Sequence, residues 1–173
     1  MIVTLGARPK REGLVPLLLE CHERIRTFGA LAQRIGAEPH VADDERVEAC
    51  RRCERYFVEA FPKHLVDEEK SILPRLVGRD PTLDAALASM AAEHAWHDPL
   101  VCDLVEHLQH VAARPGDREA RAALRASADV LMSELEPHLV REETTVFPAI
   151  DALLDRAERD LILDELRARR RLG

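Results

Sequence analysis

No apolar run in this 173-residue chain approaches the roughly 20 residues that a membrane-spanning helix requires. Residues 1–10 also lack the apolar core of a secretory signal, so a cytoplasmic location with no membrane contact is expected. Cysteine is scarce and dispersed, at Cys21, Cys50, Cys53 and Cys102, which excludes the disulfide framework of a small secreted domain. Cys50 and Cys53 form a CxxC, but no second CxxC completes a zinc site, and on a helix that spacing gives two packed core positions. Clustered positive charge is missing as well. The net charge of −7 argues against a nucleic-acid surface, and the one basic run, Arg167 to Arg171, reads as a solvated helix end. Proline and glycine number only 10 and 7 and are scattered through a chain rich in Ala, Leu, Glu and Arg, a composition that favours helix over strand.

What remains is a helical pattern, and it is interrupted in a particular way. In the stretch from Leu124 to Pro148, Leu124 and Leu131 lie one heptad apart in line with His138, while Ala128 and Leu135 lie in line with Glu142. At 3.6 residues per turn, His138 and Glu142 stand one above the other on that apolar face. Two buried polar groups then need partners, and a metal ion would supply them. The same device occurs earlier. His64-Leu-Val-Asp-Glu68-Glu69 matches His138-Leu-Val-Arg-Glu142-Glu143, each followed by a proline ten positions after the histidine, so the chain is an internal repeat.

In order, the pattern predicts a helix from Leu14 to about Ile35 carrying His22 on its apolar face. A second runs to about Leu73, capped by Asp43 or Asp44 and kinked at Pro62. A third, from about Thr82 to Ala113, turns His94 and His97 toward the core and bends at Pro99; the fourth carries His138 and Glu142. A short charged helix over 155–169 then packs through Leu161, Leu163 and Leu166. His40, His107 and His110 read as surface residues, and Glu69 and Glu143 as surface charges one position past the core face. The expectation is an all-α, antiparallel up-down four-helix bundle (core about 14–150) with an extra C-terminal helix, a single domain over 1–173. His94 and His138 lie equally far from their connecting loop, while the first hairpin matches less well.

Each half thus offers one histidine and then His-x-x-x-Glu, at spacings of 42 (His22 to His64) and 44 (His94 to His138). Imidazole suits iron, zinc and copper, and two carboxylates on opposing helices can each bridge two ions, which makes a dinuclear centre the natural reading. The ferritin-like alternative needs Glu-x-x-His on two helices, and no histidine here has a glutamate three positions before it.

At Glu20-Cys21-His22, His64 to Glu69, Glu93-His94 and His138 to Glu143, ending in Val146-Phe147-Pro148, the chain resembles the hemerythrin-like family, or HHE cation-binding domain. The resemblance spans about Leu14 to Ile150. It implies a non-haem di-iron centre, two iron ions with an oxo or hydroxo bridge. Glu68 and Glu142 would be bridges and His22, His64, His94 and His138 terminal ligands. It also implies that dioxygen, nitric oxide or iron is what the protein binds or senses. An oxidase or peroxidase-like activity is the alternative, as is iron-sulfur cluster repair, although the extra cysteine-bearing domain of the repair proteins has no room here. Oxygen-carrying members have a third-helix histidine pair four apart, whereas His94 and His97 are three apart. His97 is therefore either a fifth ligand or a partner outside the ligand set.

Overall fold

The computed structural model describes residues 13–171, all but the turns of which are helical. Residues 1–10, read above for a secretory signal, lie outside the described residues. Five helices follow in order among the described residues: α1 (Leu14–Ala37), α2 (43–76), α3 (Pro81–Ala113), α4 (118–153) and α5 (Arg156–Arg171). Helix α1 packs on α2 and α4, and α3 packs on the same two, closing a four-helix ring with α5 outside it. Short turns at 38–42, 77–80 and 114–117 make each neighbour antiparallel, as short connections in bundles do. None of the described helices is long and apolar enough to cross a membrane.

The turns are fixed by side chains placed where free backbone groups need them. Asp80 accepts from the backbone N–H groups of Thr82 and Leu83, and Asp117 from those of Glu119 and Ala120, so each caps the helix that follows it. At α2 the cap position falls on Ala42 instead. Asp43, Asp44 and Glu45 lie inside the first turn, where their charge complements the helix dipole. Arg46, only 1% exposed, ties α2 back to α1 by donating to the carbonyls of Ile35, Glu38 and Val41. Helices α1 and α4 come together closely: a Cβ at Gly29 would lie 2.0 Å from the Met132 sulfur, and one at Gly36 would lie 2.8 Å from the Arg121 carbonyl oxygen.

Pro62 does not act as a simple kink. The chain widens into π-helical turns at Tyr56–Ala60, Glu68–Ile72 and Glu142–Val146, and each ends two residues before a proline: Pro62, Pro74 and Pro148. A proline lacks the N–H and crowds the carbonyl four residues back, here that of Val58, Lys70 or Thr144, each the middle residue of its π turn. The wider turn relieves that conflict, and its extra residue shifts the phase of the buried stripe. Beyond Glu142 the buried positions are Val146, Phe147 and Ile150. Pro99, by contrast, sits inside an uninterrupted α-helix.

Helix α5 meets the bundle through Ile162, Leu163 and Leu166; Leu161, expected to pack, is 54% exposed. The basic run at its end is not the solvated tail its sequence suggests. Arg169 and Arg170 each bind one oxygen of Asp67 at 2.6 Å, and Asp67 is fully buried on α2. Cys50 and Cys53 are fully buried packing residues, in keeping with their spacing.

The apolar core is split in two. One cluster includes Ile25, Phe57, Leu104 and Leu135, the other Leu18, Ile72, Met90 and Phe147. On α1, α2 and α3 the chain passes from one cluster to the other across a single polar layer: His22 between Leu18 and Ile25, His64 and Glu68 between Phe61 and Ile72, His94 and His97 between Met90 and Val101. On α4 the layer holds His138 and Glu142.

Candidate metal centre

All seven side chains singled out by the sequence, His22, His64, Glu68, His94, His97, His138 and Glu142, lie in this layer and are at most 4% exposed. The two hairpins meet equally well, despite the poorer match expected for the first: the ring centroids of His22 and His64 are 5.0 Å apart, as are those of His94 and His138. His22, His64, Glu68 and Glu142 form one group of converging donor atoms, and His94, His138 and Glu142 form another.

The two carboxylates divide their oxygens between the histidine pairs. Glu68 turns Oε1 toward His64 Nε2 (3.3 Å) and His22 Nε2 (3.9 Å), and Oε2 toward His94 Nε2 (3.4 Å). Glu142 turns Oε2 toward His22 Nε2 (3.1 Å), and Oε1 toward His138 Nε2 (3.0 Å) and His94 Nε2 (3.9 Å). Four ring nitrogens and four carboxylate oxygens thus face a common interior. Both oxygens of each glutamate, with Nε2 of His22 and His94, lack any hydrogen-bond partner. Buried groups left in this state are costly unless something else satisfies them. Cations do so: a carboxylate with two free oxygens and an imidazole with an inward lone pair are the donor types that iron and zinc accept.

Glu69 and Glu143, expected as surface charges, are part of the site. Glu143 Oε1 accepts from Nδ1 of His22 at 2.8 Å, and Glu69 Oε1 lies 3.1 Å from Nδ1 of His94. Glu93 Oε2 does the same for Nδ1 of His138 at 2.7 Å. Each bond places the ring proton on Nδ1 and leaves the Nε2 lone pair facing inward, the arrangement that orients metal-binding imidazoles. Arginines anchor two of these carboxylates: Arg26 holds Glu143 at 2.7 Å, and Arg141 binds Glu93. The sequence carried a signal for them in the doubled glutamate of each His-x-x-x-Glu-Glu and in Glu93-His94.

Residues 13–150 match the family model described as the hemerythrin HHE cation binding domain. The chain belongs to that family. No curated protein matches it. Membership implies a metal cofactor, and the interior of this hemerythrin-family bundle has the donors for one.

Protons balance the charges when no metal is bound. Burial opposes charge on His22 and His94, but Glu142 and Glu68 outweigh it and raise the two imidazoles to about 9 and about 10. Burial likewise opposes the charge on Glu142, yet His138, His22 and His94 hold its carboxyl well below the usual range. His64 alone of the four facing histidines is shifted downward, by its burial. The raised imidazoles stabilise the metal-free fold fully below their ordinary value near 6.5, and that stabilisation is lost as pH rises through about 9 to 10. Metal must displace those protons. Loading the metal-free hemerythrin-family protein at neutral pH is therefore expected to release protons, with apparent affinity falling as pH is lowered. An indicator dye in weak buffer measures this, and loading without proton release would contradict the charge balance described.

Proposed function

We propose that the chain holds two iron ions between Glu68 and Glu142 and uses them to bind or sense dioxygen, nitric oxide or iron. The observation that carries this reading is the division of carboxylate oxygens. Glu68 Oε1 and Glu142 Oε2 face His22 and His64, while Glu68 Oε2 and Glu142 Oε1 face His94 and His138. One ion needs no such division; two ions do. The first ion would be held by His22, His64 and one oxygen from each glutamate, the second by His94, His138 and the remaining oxygens. When bound, the iron pair supplies the redox-active coordination positions at which a diatomic ligand is taken up. The protein's part is to present the donors in a buried layer between two apolar clusters, with the tautomers of His22, His94 and His138 set by Glu143, Glu69 and Glu93.

His97 joins neither donor group. Its ring lies 5.0 Å from that of His138 and its Nδ1 has no hydrogen-bond partner. That supports a role toward the bound small ligand in place of a fifth ligand position. His97→Ala is expected to keep two metals per chain while changing azide or nitric oxide affinity by about 10 to 100-fold, the usual scale for groups beyond the ligands. His94→Ala should lower metal content and thermal stability together. Elemental analysis and near-ultraviolet absorption of the aerobically purified protein test the whole reading; one tightly held zinc with no iron, after expression with ample iron, would overturn it.

A further inference from the structure

His64 breaks the pattern of the other three histidines. Its ring is 3% exposed, its Nε2 faces Glu68, and its buried Nδ1 has no hydrogen-bond partner. The internal repeat explains the difference. Aligning His64 with His138 and His22 with His94 sets Cys21 opposite Glu93, and Asp67 opposite Arg141. In the second half Arg141 holds Glu93, and Glu93 holds Nδ1 of His138. In the first half the signs are exchanged. Asp67 holds Arg170, Arg170 lies 3.4 Å from the Cys21 sulfur, and the carboxylate that would complete the chain to His64 is replaced by a thiol.

His64 also borders open space. A cavity of about 260 Å³ is lined by His64, Cys21, Arg24, Tyr56, Lys63 and Arg170, with Glu59 at its side. It continues, through Cys21, Arg24 and Arg170, into one of about 490 Å³ to which Arg167 and Arg171 contribute, with Glu20 as the carboxylate there. Five cationic side chains against two carboxylates is a local inversion of a chain whose net charge is −7. Arg24 and Lys63 have no carboxylate within ion-pairing distance among the described residues; Arg24 lies over the Tyr56 ring. Arg170 pairs with Asp67 and donates to the Leu166 carbonyl and the Cys21 sulfur, and of the five N–H donors of a guanidinium two remain for an anion.

We propose that this cavity is a binding site for a small oxyanion, a carboxylate or a phosphate. The anion hydrogen-bonds to Nδ1 of His64 between Arg24, Lys63 and Arg170, in the position that Glu93 takes against His138. It is the missing fourth carboxylate, supplied from solution. The cations that hold it are independent of the metal centre; only a dependence of affinity on metal loading, through the His64 tautomer, rests on the di-iron reading.

Calorimetric titration of the full chain with inorganic phosphate and with acetate, in metal-free and metal-loaded forms, tests this. Saturable one-to-one binding of either anion is expected, and which one binds identifies the source of the oxyanion. Replacing both Arg24 and Lys63 by alanine should weaken it by about tenfold or more, since charge-assisted hydrogen bonds are lost. Arg118→Ala, at the start of α4, should not. Cys21→Glu should remove binding, because the introduced carboxylate fills the place of the anion, and it should do so in a protein whose helical circular dichroism is unchanged. Absence of saturable binding by both anions, or wild-type affinity in the Arg24→Ala/Lys63→Ala protein, would overturn the proposal. Should Cys21→Glu misfold, the Arg24 and Lys63 variant decides alone. Anion binding by a chain that takes up no iron would leave this site standing and sink the di-iron reading.

Discussion

Glu142→Ala is expected to leave the protein unable to retain either ion of the proposed pair, while Glu143→Ala keeps both but holds them about 10 to 100-fold more weakly. The difference follows from where the oxygens go. Glu142 turns one oxygen to each histidine pair, so its removal would strip a donor from both ions of the proposed pair and take away a carboxylate that faces Nε2 of His22, His94 and His138. Glu143 touches no donor space and acts by holding Nδ1 of His22. Glu69→Ala should resemble Glu143→Ala through His94, and Glu68→Ala should resemble Glu142→Ala. Elemental analysis after gel filtration gives the stoichiometry, and competition with a chelator gives the affinity. If Glu143→Ala and Glu69→Ala matched wild type in chelator competition, the ring orientation would have to come from packing alone.

Replacing Arg169 and Arg170 together by alanine should cost about 3–5 kcal/mol of stability, the scale for stranding a buried charge. Asp67 is fully buried, and these two arginines take both of its oxygens. Without them the carboxylate has no cation in contact with either oxygen. The reverse change, Asp67→Asn, is expected to cost less, because Arg169 and Arg170 are a quarter or more exposed and regain solvent. Denaturant unfolding of the metal-free proteins separates the two, and equal losses would mean that the α5 contact matters more than the charge. The pair also fixes the end of α5 beside His64.

The helical period alone made the bundle and its donors legible. Residues four apart share a face whatever the rest of the chain does, so an apolar stripe ending in His138 and Glu142, repeated at His64 and Glu68, put those side chains inside before any packing was known. The same reasoning placed Glu69 and Glu143 outside, and there it went astray. A surface position on one helix is judged by its own period, but its neighbours come from another: Glu143 reaches a histidine 121 residues away and Glu69 one 25 away, across the bundle. Period failed again in α5, where Leu161 faces out, and where Arg169 finds Asp67 at a separation of 102 residues. The π turns before Pro62, Pro74 and Pro148 shift the phase of each stripe, which no count at 3.6 residues per turn anticipates. The sequence by itself determined which side chains are buried together, because that depends on local periodicity. Only the tertiary structure decided which carboxylate holds which imidazole, and that His64 is left without one, because those contacts depend on the relative height and rotation of separate helices.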